Sequence, residues 1–314
     1  MDLSLVAPEL RGPARWLPPL TIGRRWALRL VRLAAAHRPA RRVAGVRIEH
    51  LAAGRVPLRM YRPTGAHSPV AVLWIHGGGY VLGSPVQDDT FCSITARDLG
   101  VTIVSVDYRL APEHPFPAPL QDCWIAWMWL QRNASRFGVD PARVVLGGQS
   151  AGGGLAACLC QRLVADGGSR PAALWLSAPM LDDRTAARRD LDALRHLGWT
   201  NDDNLYGWSS YLATPPGASD VPEFAVAARR DDLTGTPPIW IGVGTIDLFH
   251  DEDVAYAERL RAAGVEVELD IVPGAPHGFD SWAPGAGLAR EFHARARRWL
   301  ATTMGLTVHE RAHP

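Results

Sequence analysis

Gly148-Gln149-Ser150-Ala151-Gly152 directly follows the apolar run Arg143 to Leu146 and opens a stretch of small residues. A serine at such a strand-to-helix turn has its hydroxyl pushed into the open, with glycine neighbours that let other segments approach. The start of a helix beneath it presents unpaired N–H groups to any oxyanion that forms. A hydroxyl becomes a useful nucleophile only beside a base, and the base needs an acid to fix its tautomer. His277, in the loop Pro273 to Phe279, and Asp247, just beyond the apolar run Ile239 to Val243, are expected to fill those roles. A second glycine loop, His76-Gly77-Gly78-Gly79, follows the run ending at Ile75 and can turn backbone amides inward. Read as a phosphate loop it would want a lysine, and the sequence contains none. The chemistry indicated is acyl transfer through Ser150, with the partners in the chain order Ser, Asp, His.

Competing residues have plainer readings. Asp251 and Glu252 fall at the start of a predicted helix, where carboxylates favour the dipole and cap free N–H groups. Asp107 and Asp122 are assigned no part in catalysis. His76 is expected to organise its loop, and His50, His114, His196, His250 and His293 are read as ordinary polar histidines. No His/Asp/Glu cluster has metal-ligand spacing, so no metal and no cofactor is called for. Trp124 and Trp127 are expected in the core. Trp199, Trp208 and Tyr211 could equally line a substrate pocket or pack within their own segment. Tyr80, directly after the glycine loop, joins them as a candidate for the pocket.

These groups need a rigid frame. Two alternating runs, Val46 to His50 and Val56 to Tyr61, read as half-exposed strands. Six further runs are continuously apolar, as strands buried on both faces are: Val70 to Ile75, Val101 to Val106, Arg143 to Leu146, Ala172 to Leu176, Ile239 to Val243 and Val265 to Ile271. Helical stretches at Leu120 to Phe137, Ala151 to Ala165, Asp251 to Ala263 and Ala286 to Met304 separate several of them. That alternation predicts an α/β fold with a mostly parallel, eight-stranded central sheet flanked by helices. Residues 1–42 are rich in Pro and Arg and read as a loop plus an amphipathic helix with Trp26, Leu30 and Leu33 on one face. Residues 179–237 break the alternation and read as a helical insertion. The expected organisation is a catalytic domain of residues 43–178 and 238–314, covered by a cap made from 1–42 and 179–237.

With these motifs assembled, the chain resembles the hormone-sensitive-lipase-like carboxylesterases, also called bacterial family IV, of the α/β-hydrolase fold. The resemblance is carried by Trp74 to Tyr80, by Asp107 to Ala118, by Gly148 to Gly152, by Asp247-Leu248 with Asp251-Glu252, and by His277-Gly278-Phe279. It implies a serine esterase with Ser150, Asp247 and His277 as catalytic triad and the amides of Gly78, Gly79 and Ala151 as oxyanion hole. It also implies a small-molecule ester substrate and leaves a homodimer open. Two positions depart from the pattern: Gln149 stands where Asp or Thr is usual, and Leu248 where Pro often follows the acid. Neither removes a reacting group, but Gln149 is expected to change the hydrogen bonding and pH range around the serine. Hydrolysis of a lactone, an amide or an acetylated natural product on the same residues, or ligand binding on a catalytically dead scaffold, are the rival readings.

Composition narrows the field further. With 314 residues, 47% hydrophobic and 21% charged, the chain can bury a large core without disulfides. A formal net charge of +1 gives no field to draw nucleic acid or an anionic membrane. Arg24-Arg25 superficially resembles an export signal, but Arg29 and Arg32 interrupt the apolar run after it. No stretch is apolar for long enough to span a membrane. Cys92, Cys123, Cys158 and Cys160 lack metal or redox spacing and are expected as buried free thiols of a cytoplasmic protein.

Overall fold

Successive residues of a strand face opposite sides of its sheet, so a run that is apolar throughout must be covered twice. In a computed structural model, which describes residues 2–17, 28, 31–32, 42–65 and 67–308, the apolar runs form such a sheet. Its strands are β1 (Val46–Ala53), β2 (Val56–Pro63), β3 (Ala71–Ile75), β4 (Thr102–Val106), β5 (Val144–Gln149), β6 (Leu174–Ser177), β7 (Ile239–Gly244) and β8 (Val267–Val272). Their spatial order is β1-β2-β4-β3-β5-β6-β7-β8. The first two pairings, β1 with β2 and β2 with β4, are antiparallel, and the other five are parallel.

The helices, in chain order, are α1 (Arg11–Ala14), α2 (Asp89–Leu99), α3 (Ala118–Asn133), α4 (Ala151–Ala165), α5 (Asp183–Ala187), α6 (Asn201–Leu212), α7 (His250–Ala262), α8 (Phe279–Trp282) and α9 (Gly287–Met304). On one sheet face Leu73, Ile75, Leu146 and Leu176 meet Trp127 of α3, Leu155 of α4 and Leu260 of α7. On the other, Val72, Trp74, Trp175 and Trp240 meet Cys92 and Ala96 of α2 and Phe292 and Leu300 of α9. Of the four long helices expected, the second, third and fourth begin and end within a residue or so of the reading. The first shifts, because the helical run stops at Asn133 and continues to Phe137 as a tighter 3-10 turn. The sequence reading missed α2. Its apolar positions are few, and Cys92, Ala96 and Leu99 share the buried face with Asp89, Ser93, Thr95 and Asp98.

The segment between β6 and β7 carries α5 and α6. Thr200 caps α6 with a reciprocal bond to Asp203, which fixes where that helix starts. From the N-terminal segment, Val6, Leu10 and Ala14 join the core on the α9 side, and the Ala7 amide bonds the Gly274 carbonyl at 2.9 Å. Arg32 donates to the carbonyls of Val81 and Ala111 and to Glu113. The expected amphipathic face of Trp26, Leu30 and Leu33 lies outside the described residues. All four cysteines are buried and free. Among the described residues no helix is long and apolar enough to cross a membrane.

Candidate active site

Strand order reverses beside β3, because β4 lies on one side of it and β5 on the other. In open parallel sheets the crevice beyond the carboxyl ends of such a pair is where ligands bind. The glycine loop follows β3 there, and Ser150 follows β5. Ser150 has φ 54° and ψ −123°, a backbone state that costs an L-residue about 1–3 kcal/mol and persists only when its surroundings hold it. They do: its amide donates to the Ser177 carbonyl at 2.9 Å, and its own carbonyl accepts from the Gly154 and Met180 amides at 3.0 Å each.

The loops after β7 and β8 bring two distant residues to the same point. His277 Nε2 lies 3.0 Å from Ser150 Oγ, and its Nδ1 lies 2.9 and 3.1 Å from the two carboxylate oxygens of Asp247. A ring with Nδ1–H directed at the carboxylate leaves Nε2 as acceptor for the serine proton. Asp247 is itself positioned by a bond from the Phe249 amide at 2.9 Å. All three side chains are less than a tenth exposed. Burial disfavours a charged imidazole, yet the charge and hydrogen bond of Asp247, with the charge of Asp280 beyond it, outweigh that penalty and hold His277 above its ordinary value.

Gly78 and Gly79 adopt φ 126° and 57° in the loop facing the serine. The amides of Val81 and Leu82 both bond back to the Gly78 carbonyl, which closes the turn. Ala151 is the first residue of α4, where an amide has no carbonyl one turn back to bond. His76 is wholly buried and driven down to about 4 by that burial, so it stays neutral at working pH. Its ring stacks on Tyr108 at 4.3 Å, and Tyr108 donates to its carbonyl. That is a loop-organising position.

The aromatic candidates for the pocket are packed. Tyr80 stacks on Tyr211 at 4.1 Å and leans on Trp208 at 5.1 Å, and all three are buried. They form a core under the insertion and hold α6 to the glycine loop. Trp199 is buried against the glycine loop, so close to Gly79 that a Cβ there would fall 2.1 Å from its indole ring.

One carboxylate at the start of α7 reaches further than its position indicates. Glu252 does not cap α7; one of its oxygens accepts from the Leu181 and Asp182 amides at 2.7 and 3.1 Å, tying the helix to the start of the insertion. Asp251 is exposed and meets His250. Asp122 is structural, with Arg109 bonded to it through backbone and guanidinium. His293, read as ordinary, lies 2.8 Å from Asp280. Asp280 also meets Gln149, the residue before the serine, at 3.1 Å. Nothing in the local sequence around either residue signals that contact, because they are 131 positions apart.

A cavity of about 510 Å³ lies on the outer side of the acid, between Leu5, the insertion's Leu191 and Leu194, His196 and Asp247. Another of about 670 Å³ lies behind the serine turn, between α2 and α9, and reaches Gln149, Asp280 and His293.

Comparison with known proteins agrees with this architecture. Residues 72–281 match the family described as alpha/beta hydrolase fold. Carboxylic ester hydrolase LipN of Mycobacterium tuberculosis is 37% identical over 233 residues, 72% of this chain, and the match spans 61% of LipN, just under two thirds of its length. Carboxylesterase NlhH of the same organism is 35% identical over 266 residues, covering 82% of this chain and 78% of NlhH. Among solved structures, a bacterial heroin esterase superposes with a TM-score of 0.85 at 34% identity, covering 97% of this chain and 99% of its own. An esterase of the bacterial hormone-sensitive lipase family superposes at 0.79 and 30% identity, covering 95% and 99%. The chain belongs to the α/β-hydrolase family, in its hormone-sensitive-lipase-like branch of carboxylic ester hydrolases.

Proposed function

We propose that the chain hydrolyses short- to medium-chain carboxylic esters through an acyl-enzyme on Ser150. Ser150 Oγ attacks the ester carbonyl as His277 Nε2 takes its proton, while Asp247 keeps the other ring nitrogen protonated and stabilises the imidazolium. The oxyanion is held by the amides of Gly78, Gly79 and Ala151, each such donor being worth about 10² to 10³ in turnover. His277 then returns the proton to the leaving alcohol. Water, activated by the same imidazole, releases the acid and restores the serine.

The observation that carries this reading is the pair of contacts on one ring, 3.0 Å to Ser150 Oγ and 2.9 Å to Asp247. The preference for shorter acyl groups is supported by Trp199, which packs tightly against Gly79 of the glycine loop. In the same reading the insertion of residues 179–237 and the N-terminal residues 1–42 form a cap over the site. Purified Ser150→Ala should lose aryl-ester hydrolysis by about 10⁵-fold or more. Wild-type rates in that variant would discard Ser150 as nucleophile, and a rate that peaks on long-chain esters would discard the proposed substrate range.

A further inference from the structure

Two segments must keep register for Ser150 and His277 to stay in contact: the turn after β5 and the loop after β8. They come from different elements and share no backbone pairing there, so side chains have to join them. The join is Asp280, 8% exposed, in the short helix α8 that begins two residues after His277. Gln149 Nε2 donates to its carboxylate oxygens at 3.1 and 3.2 Å. Gln149 also exchanges bonds with the Ser281 hydroxyl, at 3.1 and 3.3 Å. From the far side, in α9, His293 Nε2 lies 2.8 Å from Asp280 Oδ2, where it can bond the carboxylate only as an N–H donor. The indole of Trp282, on the same short helix, donates to the His277 carbonyl at 3.0 Å.

We propose that Asp280 is a positioning residue for the reaction: gripped by Gln149 and His293, it clamps the serine turn to the loop that carries the base, and its charge supports the imidazolium formed on His277. The inference rests on Ser150 and His277 being the reacting pair. Gln149 suits this arrangement chemically. An aspartate at that position would set two carboxylates against each other, whereas a primary amide donates to the one already there. The electrostatics agree, since Asp280 is among the groups that hold His277 above its ordinary value. The other charged or titratable groups that face Asp280 across the crevice are Asp88 and Asp89 of the α2 side and Arg290, His293 and Arg297 of α9. Burial drives Asp88 up to about 7, so it offers little competing negative charge in the acidic range.

Asp280→Asn keeps the size and an acceptor for Gln149 and removes the charge. It should lower kcat about 10-fold with KM within about 2-fold, as expected when alignment and not substrate affinity is lost. The acidic limb of the kcat/KM profile reports loss of the His277 proton. Removing a nearby anion should therefore move that limb to lower pH, by about half a unit. His293→Gln loosens the clamp but leaves the Asp280 charge, and should lower kcat with the limb where wild type has it. A packing role alone would move melting temperature without moving the limb. A folded Asp280→Asn with an unshifted limb overturns the proposal; should that variant not fold, a wild-type kcat in His293→Gln overturns it. Labelling wild type with an organophosphate and weighing the Ser150 peptide separates the two levels. No adduct there removes the reacting pair itself, while an adduct with an unshifted limb removes only the role of Asp280.

Discussion

Gly79 is a residue where backbone conformation and a neighbour's bulk impose the same requirement. Its φ of 57° is costly for any side-chain-bearing residue, about 1–2 kcal/mol, and an added Cβ would meet the Trp199 ring at 2.1 Å. Gly79→Ala should therefore displace Trp199, the loop amides or both. We expect kcat to fall about 10²-fold, the scale of losing one oxyanion donor. Trp199→Ala in the same chain separates the causes, because it clears the space and leaves the strain. Recovery of most of the rate in the double variant assigns the loss to the clash, and no recovery assigns it to the backbone. The glycines of this loop were legible in the sequence as a place for close approach, but what approaches was not. Trp199 is 120 positions downstream in a segment without periodicity, and its indole could be read as pocket or packing with equal justice.

Elements set the angle at which the serine turn meets the sheet, and α4 does so by lying unusually close to β3. A Cβ on Gly152 would come within 2.1 Å of the Ile75 carbonyl and 2.4 Å of the His76 carbonyl, both backbone atoms with no room to retreat. Gly152→Ala should cost about 3 kcal/mol, the upper range for overpacking a tight contact, and would appear as a lower urea midpoint with activity falling in parallel. An unchanged midpoint would mean that α4 can slide away from β3 and that the turn is less constrained than its contacts imply. The sequence announced β5, the turn and α4 together, since a continuous apolar run followed by small residues admits few other readings. It did not announce α2, whose buried face carries Asp89, Ser93, Thr95 and Asp98. Asp89 is satisfied by bonds from Arg59 and Tyr61 of β2, a tertiary arrangement that overrides the polar pattern and that no local periodicity contains.

At the scale of the whole molecule, the same limit decides how stability responds to pH. Residues near one another in the chain gave the strands, the main helices and the order of the reacting groups, because those follow from local period and turn chemistry. The buried carboxylates are set by contacts between remote segments; the sequence indicates the place of Glu252 at the start of α7 but not what it touches. Glu252 is buried between α7 and the insertion, and burial, stronger than its bonds from Thr185, Leu181 and Asp182, raises it from 4.5 to about 8. A carboxyl raised on folding binds its proton more tightly in the native state. Its contribution is thus fully present below the unfolded value of 4.5 and is lost as pH rises toward 8. Glu252→Gln substitutes a neutral amide for the protonated acid, keeps an acceptor for the two amides and cannot ionise. The other titrating groups are common to both proteins, and Asp253, which the Glu252 charge helps to raise, is relieved in the variant and adds to the difference in the same direction. Between pH 5 and pH 8 the melting temperature of the variant should therefore rise relative to wild type by about 5 °C. A constant difference across that range would show that Glu252 ionises as freely in the folded chain as in the unfolded one, and that the junction of α7 with the insertion is open to water.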